Sequence, residues 1–187
     1  MPEASYLSHH FLIAMPALHD PNFSRGVAYV CQHNEQGAMG ILVNHPSDYS
    51  LGDVLGQMGI STEDEMVAAA PVLIGGPVQP ERGFVLHDNE GQWDSSFVIN
   101  ERLCLTTSRD ILAAVAEGRG PRRRLVALGY AGWSAGQLEH EMRENSWLAV
   151  AADEHVLFEV PMERRWEEAA KLVGVRIGEM TDLSGHA

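Results

Sequence analysis

Lysine is almost missing from this chain: Lys171 stands alone, and every other basic side chain is an arginine. Against 13 basic residues stand 26 acidic ones, a net charge of −13. That shortage of positive charge argues against phosphate backbones and anionic lipid surfaces as partners, because both are held by Lys and Arg. Cysteine is scarce as well. Cys31 and Cys104 lie far apart with no CxxC spacing, which excludes a disulfide scaffold and a zinc knuckle. Both sit in apolar, strand-like runs, where a free cysteine behaves as a small buried hydrophobe. No apolar run approaches the roughly 20 residues that a membrane-crossing helix needs. The stretch from His9 to Pro16 is too short for a secretory signal and lacks a basic flank. A cytoplasmic location without a membrane partner is therefore expected. Internal repeats, low-complexity tracts and long linkers are absent too, so a single domain over residues 1–187 is expected.

What is present is an ordinary globular balance, 45% hydrophobic and 21% charged, enough to bury roughly 70% of the unfolded surface. Alternating or short apolar runs predict strands at Phe11–Ala14, Val27–His33, Ala38–Val43 and Val72–Ile74. More follow at Arg82–His87, Ser96–Asn100, Leu103–Leu105, Leu125–Tyr130, Trp147–Val150 and Val156–Phe158. A turn is expected over His19-Asp20-Pro21-Asn22. Ser50 with Asp53 reads as a capping box opening a helix that Gly59 ends. A short exposed helix is expected within residues 60–71, and longer ones at Ser108–Glu117 and Ala135–Glu144. The last helix starts at Pro161, carries the stripe Trp166, Ala169, Ala170 and Val173, and stops at Gly174. Hairpins dominate the first half and helix–strand alternation the second, which predicts a mixed sheet with helices packed on it.

Several motifs invite a chemical reading. Gly132-Trp133-Ser134-Ala135-Gly136 matches the GxSxG of a nucleophile elbow, between a strand and a helix, with Asp153 and His155 following in hydrolase order. The same residues serve a structural purpose if Ser134 caps the helix and Gln137 completes a capping box. Cys31-Gln32-His33 puts a thiol and an imidazole on one strand face, but a metal would need a third ligand such as His45 or His87 to converge. No metal or cofactor is assigned. A small hydrolase using Ser134 or Cys31 is the enzymatic alternative. The dense run Arg119, Arg122, Arg123 and Arg124 is a solvated loop or a phosphate patch, and carries the alternative of direct nucleic-acid binding.

A further set of residues points to ligand binding. Gly75-Gly76-Pro77-Val78 forms a tight turn or a nest of N–H groups, without the GxGxxG or GxxxxGK[ST] spacing of nucleotide loops. Arg82 and His87 follow closely. Thr106-Thr107-Ser108-Arg109-Asp110 opens a helix, with Thr107 and Asp110 fitting a capping box and the helix start favouring anions. Gly75, Gly76, Arg82, His87, Thr106 and Thr107 are therefore expected to line one concave surface suited to a small anion. The alternative is that turn, surface charge and cap never meet.

Taken together these segments resemble the YqgE/AlgH family of bacterial proteins. The resemblance runs through His10-Phe11-Leu12-Ile13-Ala14-Met15-Pro16, His33-Asn34-x-x-Gly37-Ala38-Met39-Gly40 and Gly75-Gly76-Pro77-Val78. It continues in Arg82-Gly83-Phe84-Val85-Leu86-His87, Leu128-Gly129-Tyr130-Ala131-Gly132-Trp133 and Gly136-Gln137-Leu138-Glu139, and closes on Gly185-His186-Ala187. It implies an α+β fold, with a mixed, branched and partly barrel-like sheet and about four helices packed around it. Members of that family often carry the label of transcriptional regulator, and no settled activity or catalytic residue comes with it. The family pattern does not require serine at position 134, where glutamate also occurs. The resemblance implies a non-enzymatic binding or regulatory protein, acting through a protein partner or a small anionic ligand. The acidic charge and the lack of a helix-turn-helix pattern argue against direct DNA reading.

Overall fold

The structure is a computed structural model that describes residues 6–16, 18 and 20–174. His19 of the expected turn and the closing Gly185-His186-Ala187 lie outside the described residues. Ten strands among the described residues form one curled, mostly antiparallel half-barrel. They are β1 (His10–Ala14), β2 (Val27–Asn34), β3 (Gly37–Leu42), β4 (Pro46–Ser50) and β5 (Pro71–Ile74). The others are β6 (Val78–Asp88), β7 (Ser96–Val98), β8 (Leu103–Thr106), β9 (Arg124–Ser134) and β10 (Trp147–Ala151). The six helices among the described residues are α1 (Leu51–Gln57), α2 (Glu65–Ala69), α3 (Arg109–Ala116), α4 (Gln137–Arg143), α5 (Glu154–Phe158) and α6 (Arg165–Leu172). Four of them, α1, α3, α4 and α6, are seven residues or longer.

The main path is β10-β1-β2-β3-β9-β6-β8-β7, and β4 and β5 branch from it. The branch is at β9. Its C-terminal half pairs antiparallel with β3, Gly40 opposite Ala131, while Ala127 and Leu128 pair in parallel with Leu73 and Ile74 of β5. Gly129, at φ 77, lies between the two pairings.

Because helices cover both faces of β1, its residues are apolar without alternation, and the strand reads as one continuous hydrophobic run. Phe11 and Ile13 enter the half-barrel interior with Tyr29, Ile41 and Phe84, sealed by Leu157 and Trp166 near the C-terminal end. Leu12 and Ala14 face outward with Val30, Leu42 and Trp133 beneath Leu138 of α4. A third cluster joins Leu51 and Leu55 of α1 to Ile111 and Val115 of α3 over Val85 and Val126.

Several boundaries differ from expectation. Val156–Phe158 is helical, because Asp153 caps α5 by accepting from the Val156 N–H at 3.1 Å. Strand β4 is polar and half-exposed, Pro-Ser-Asp-Tyr-Ser, and offers no apolar pattern to read. β9 continues through Gly132-Trp133-Ser134, where the pairing of Gly37 with Ser134 holds it in the sheet. A bulge between Val30 and Gln32 changes the facing of β2 beyond Cys31. Cys31 therefore joins the interior. His33 instead turns outward with its cross-strand neighbours Ala38 and Trp133, bonding Glu139 of α4 at 3.2 Å. The thiol and the imidazole do not share a face.

Candidate functional site

The feature that builds a site is an irregularity in β6. Val78 pairs with Tyr130 and Gly83 with Leu128, so Gln79, Pro80, Glu81 and Arg82 bulge out opposite the single residue Gly129. Pro80 cannot donate to a ladder, which forbids regular pairing at this point. Gln79 takes φ 48, a left-handed conformation uncommon for a residue with a side chain. Glycines make room for the crossing. A Cβ on Gly76 would lie 2.1 Å from the Tyr130 carbonyl carbon, and one on Gly129 2.4 Å from the Gly76 oxygen.

The bulge leans over a cleft of about 390 Å³. Val54 and Met58 of α1, Leu112 of α3 and Leu128 of β9 supply apolar walls, with Tyr49, Gln57, Thr107 and the bulge's own Glu81 as polar groups. Arg109 ties the walls together by donating to the Met58 carbonyl at 3.2 Å. Beside the cleft, the Arg82 guanidinium donates to Gln79 Oε1 at 3.1 Å and to Thr107 Oγ1 at 3.4 Å, and rests over the Phe84 ring. No carboxylate pairs with Arg82 among the described residues.

The expected site residues thus fall into three groups. Arg82 and Thr107 meet. Gly75 and Gly76 stand behind them and act through the backbone: the Gly75 N–H donates to Leu128 O at 2.7 Å, and its carbonyl accepts from Leu42 N at 2.8 Å. That amide is spent in the sheet, so no open nest forms around it. His87 and Thr106 are buried and do not line the cleft. His87 Nδ1 lies 2.6 Å from the Asp88 carbonyl and must donate to it, which leaves Nε2 to accept from the Thr106 hydroxyl at 2.7 Å. Ser96 Oγ, 2.6 Å from Thr106 Oγ1, then donates in turn. Burial lowers the His87 pKa from its ordinary 6.5.

The capping box expected from Thr107 and Asp110 does not form. Ser108 occupies the N-cap position and its hydroxyl donates to Asp110 Oδ1 at 2.6 Å. The same oxygen accepts from Ile111 N at 2.9 Å, so the helix start already holds a carboxylate. Ser134 is likewise no cap, since Gly136 holds that position on α4. Gln137 Oε1 accepts from the Ser134 amide at 2.9 Å and from its hydroxyl at 3.2 Å. The relay partners expected for a hydrolase are engaged elsewhere: Asp153 caps α5, and His155 pairs with Glu159 at 2.5 Å. Cys31 is 2% exposed, and burial pushes its thiol far up, against nucleophilic use. Of the other expected ligands, His45 bonds the Ser24 carbonyl at 3.2 Å.

The arginine run also divides. Arg119 pairs with Glu117, and Arg123 pairs with Glu154 and lies 3.7 Å from Asp88, while Arg122 and Arg124 face a separate cavity. No continuous basic face results. Sequence reading missed the bulge, although Pro80 next to a strand was a usable signal for one, and it missed the α1 wall because β4 had not been seen.

Comparison with known proteins agrees with this architecture. The family described as AlgH-like, DUF179, matches residues 11–178. A UPF0301 protein of Xanthomonas campestris pv. campestris strain B100 is 60% identical over 181 residues, covering 97% of this chain and 96% of the relative. One from Xanthomonas oryzae pv. oryzae is 59% identical over the same length and the same shares. The solution structure of the AlgH protein from Pseudomonas aeruginosa superposes with a TM-score of 0.81 at 45% identity, covering 97% of this chain and 96% of that one. A crystal structure of protein DIP2367 from Corynebacterium diphtheriae shares the fold at TM-score 0.70 and 19% identity, covering 91% and 89%. With a family match across most of its length, relatives near 60% identity and a shared fold, the chain belongs to the AlgH-like family.

Proposed function

We propose that this chain is a non-enzymatic binding protein of the cytoplasm, one domain over residues 1–187, that takes a small carboxylate-bearing organic ligand in the cleft beneath the β6 bulge. One observation carries the reading. Arg82, with no carboxylate partner among the described residues, is held against Thr107 beside a cleft with mostly apolar walls. A pocket with apolar walls and a few converging polar groups is the usual form of a small-molecule site. The left-handed Gln79 supports the same reading, because strained backbone persists where surrounding structure holds it in place for use. Regulation would then follow from occupancy, with a protein partner reading the bulge and α1 in their filled arrangement.

The test is a titration with aryl carboxylates, followed by backbone amide chemical shifts. Shifts should concentrate at Met58, Thr107 and Leu128 and disappear in Arg82→Gln. Aryl carboxylates that leave these amides unmoved would overturn the reading. A serine-reactive fluorophosphonate probe should leave Ser134 unlabelled, and stoichiometric labelling would restore the hydrolase alternative.

A further inference from the structure

Arg165 is a charged side chain only 6% exposed. Its Nε donates to Val160 O at 3.0 Å and its Nη1 to Val43 O at 2.5 Å. Both acceptors are neutral carbonyls, and no carboxylate forms an ion pair with it among the described residues. A buried cation compensated only by dipoles remains costly. Burial accordingly lowers its pKa from the ordinary value, against the more distant charge of Glu163.

Two more guanidiniums share its surroundings. Arg124, half-buried at the start of β9, donates to the Pro121 carbonyl at 3.0 Å. Burial lowers its pKa too, with the charge of Asp64 opposing. The Asp64 carboxylate is itself occupied in capping α2, accepting from Met66 N at 2.9 Å and Val67 N at 3.3 Å. Arg122 stands exposed nearby, also without a carboxylate partner among the described residues. Arg122, Arg124 and Arg165 all line one cavity of about 450 Å³, in which Glu159 is the one acidic lining residue and is engaged with His155. The lining is thus net positive in a chain of net charge −13. The remaining walls include Leu73, Val126, Phe158 and Met162, which are apolar. This cavity shares no lining residue with the cleft beneath the bulge.

We propose that this cavity binds a phosphate monoester carried on a small apolar body. The phosphoryl group brings close to two negative charges and three oxygens, matching several guanidinium forks. A carboxylate would bring one charge to three cations. The cavity falls within the size range of small organic ligands, well beyond the needs of a bare oxyanion. Phe158 and Met162 give the apolar body its place.

Calorimetric titration at constant ionic strength with phenyl phosphate, inorganic phosphate and phenol tests this. Phenyl phosphate should bind saturably and about tenfold tighter than inorganic phosphate, and phenol should not bind. Arg122→Gln and, separately, Arg124→Gln should each weaken phenyl phosphate about tenfold or more. Because Arg122 is exposed, Arg122→Gln should leave the unliganded melting temperature unchanged. Arg82→Gln should leave phenyl phosphate binding unchanged, which separates this site from the cleft. Equal affinity for inorganic phosphate, binding of phenol, retention of affinity in both arginine variants or no saturable binding would each overturn the proposal.

Discussion

Glu141 shows how much one side chain can fasten. Its Oε1 accepts from the indole N–H of Trp133 at 3.1 Å and of Trp147 at 2.9 Å, while Oε2 accepts from Gln137 at 2.8 Å. Both indoles are buried, at 5% and 2% exposure, and both N–H groups depend on this one carboxylate oxygen. Glu141→Ala should cost roughly 2–4 kcal/mol in urea unfolding, since two buried donors lose their acceptor. The near-ultraviolet dichroism of the aromatic cluster Phe23, Trp133 and Trp147, one stacked and two edge-to-face pairs, should change with it. His87 supplies a pH dependence. Burial depresses its folded pKa below 6.5, so beneath that pH the unfolded chain takes up the proton first. Its contribution to stability is complete above 6.5 and is lost as pH falls through the folded value. Burial acts in the same direction on His9 and His45. Unfolding free energy should therefore decline on acidification from about pH 7 to about pH 5, and His87→Gln should flatten that decline. An unchanged slope would remove His87 from the account. Apart from Gln137 with Glu141 on one helix and His87 with the neighbouring Asp88 carbonyl, these partners could not be read from the chain, because the sheet or a helix docked on it brings them together. Gly75 and Gly76 did stand out, yet as a possible nest. Their use is steric, decided by where β9 passes.

At the scale of elements, local signals were legible where a side chain closes its own helix. Ser50 and Asp53 form the expected box, with the Asp53 amide 3.2 Å from Ser50 Oγ and the Ser50 amide 2.9 Å from Asp53 Oδ2. Ser50→Ala should cost about 1 kcal/mol. Because α1 supplies Val54 and Met58 to the cleft, the same change should also loosen any ligand held there, measured as a higher Kd for an aryl carboxylate. Where the element depends on its neighbours, the sequence misleads. Ser134 has the spacing of a cap, but the ladder to Gly37 extends β9 through it and delays the helix to Gln137. Ser134→Ala is accordingly expected to change stability by no more than about 0.5 kcal/mol, a value typical of exposed positions. Val156–Phe158 has β-like composition, yet it lies in α5, whose start is capped by Asp153.

At the scale of the molecule, the curl and branching of the sheet were implied by resemblance and were invisible to periodicity. They arise because β9 pairs with β3, β5 and β6, relations between segments far apart in sequence. Charge, by contrast, is a property of composition, and the structure shows how it is arranged. Arg102 and Arg123 share Glu154, Arg119 pairs with Glu117, and Arg164 pairs with Glu168. Arg122, Arg124 and Arg165 gather at a cavity, and Arg82 lies beside a different cleft. Duplex DNA spaces its phosphates regularly, and appreciable affinity takes about six to ten cationic contacts along that track. Cations paired with carboxylates cannot release counterions from DNA without first losing their partners, and the half-buried Arg124 and buried Arg165, set in a concavity, do not reach a convex duplex. The surrounding field of a chain at −13 adds repulsion on approach. Purified protein should therefore give no electrophoretic shift of duplex DNA at physiological salt. Any weak retardation at low salt should vanish steeply as salt rises and should be indifferent to sequence. A shift that survives physiological salt and discriminates between sequences would show that this arrangement of arginines has been misjudged and that the chain contacts DNA directly.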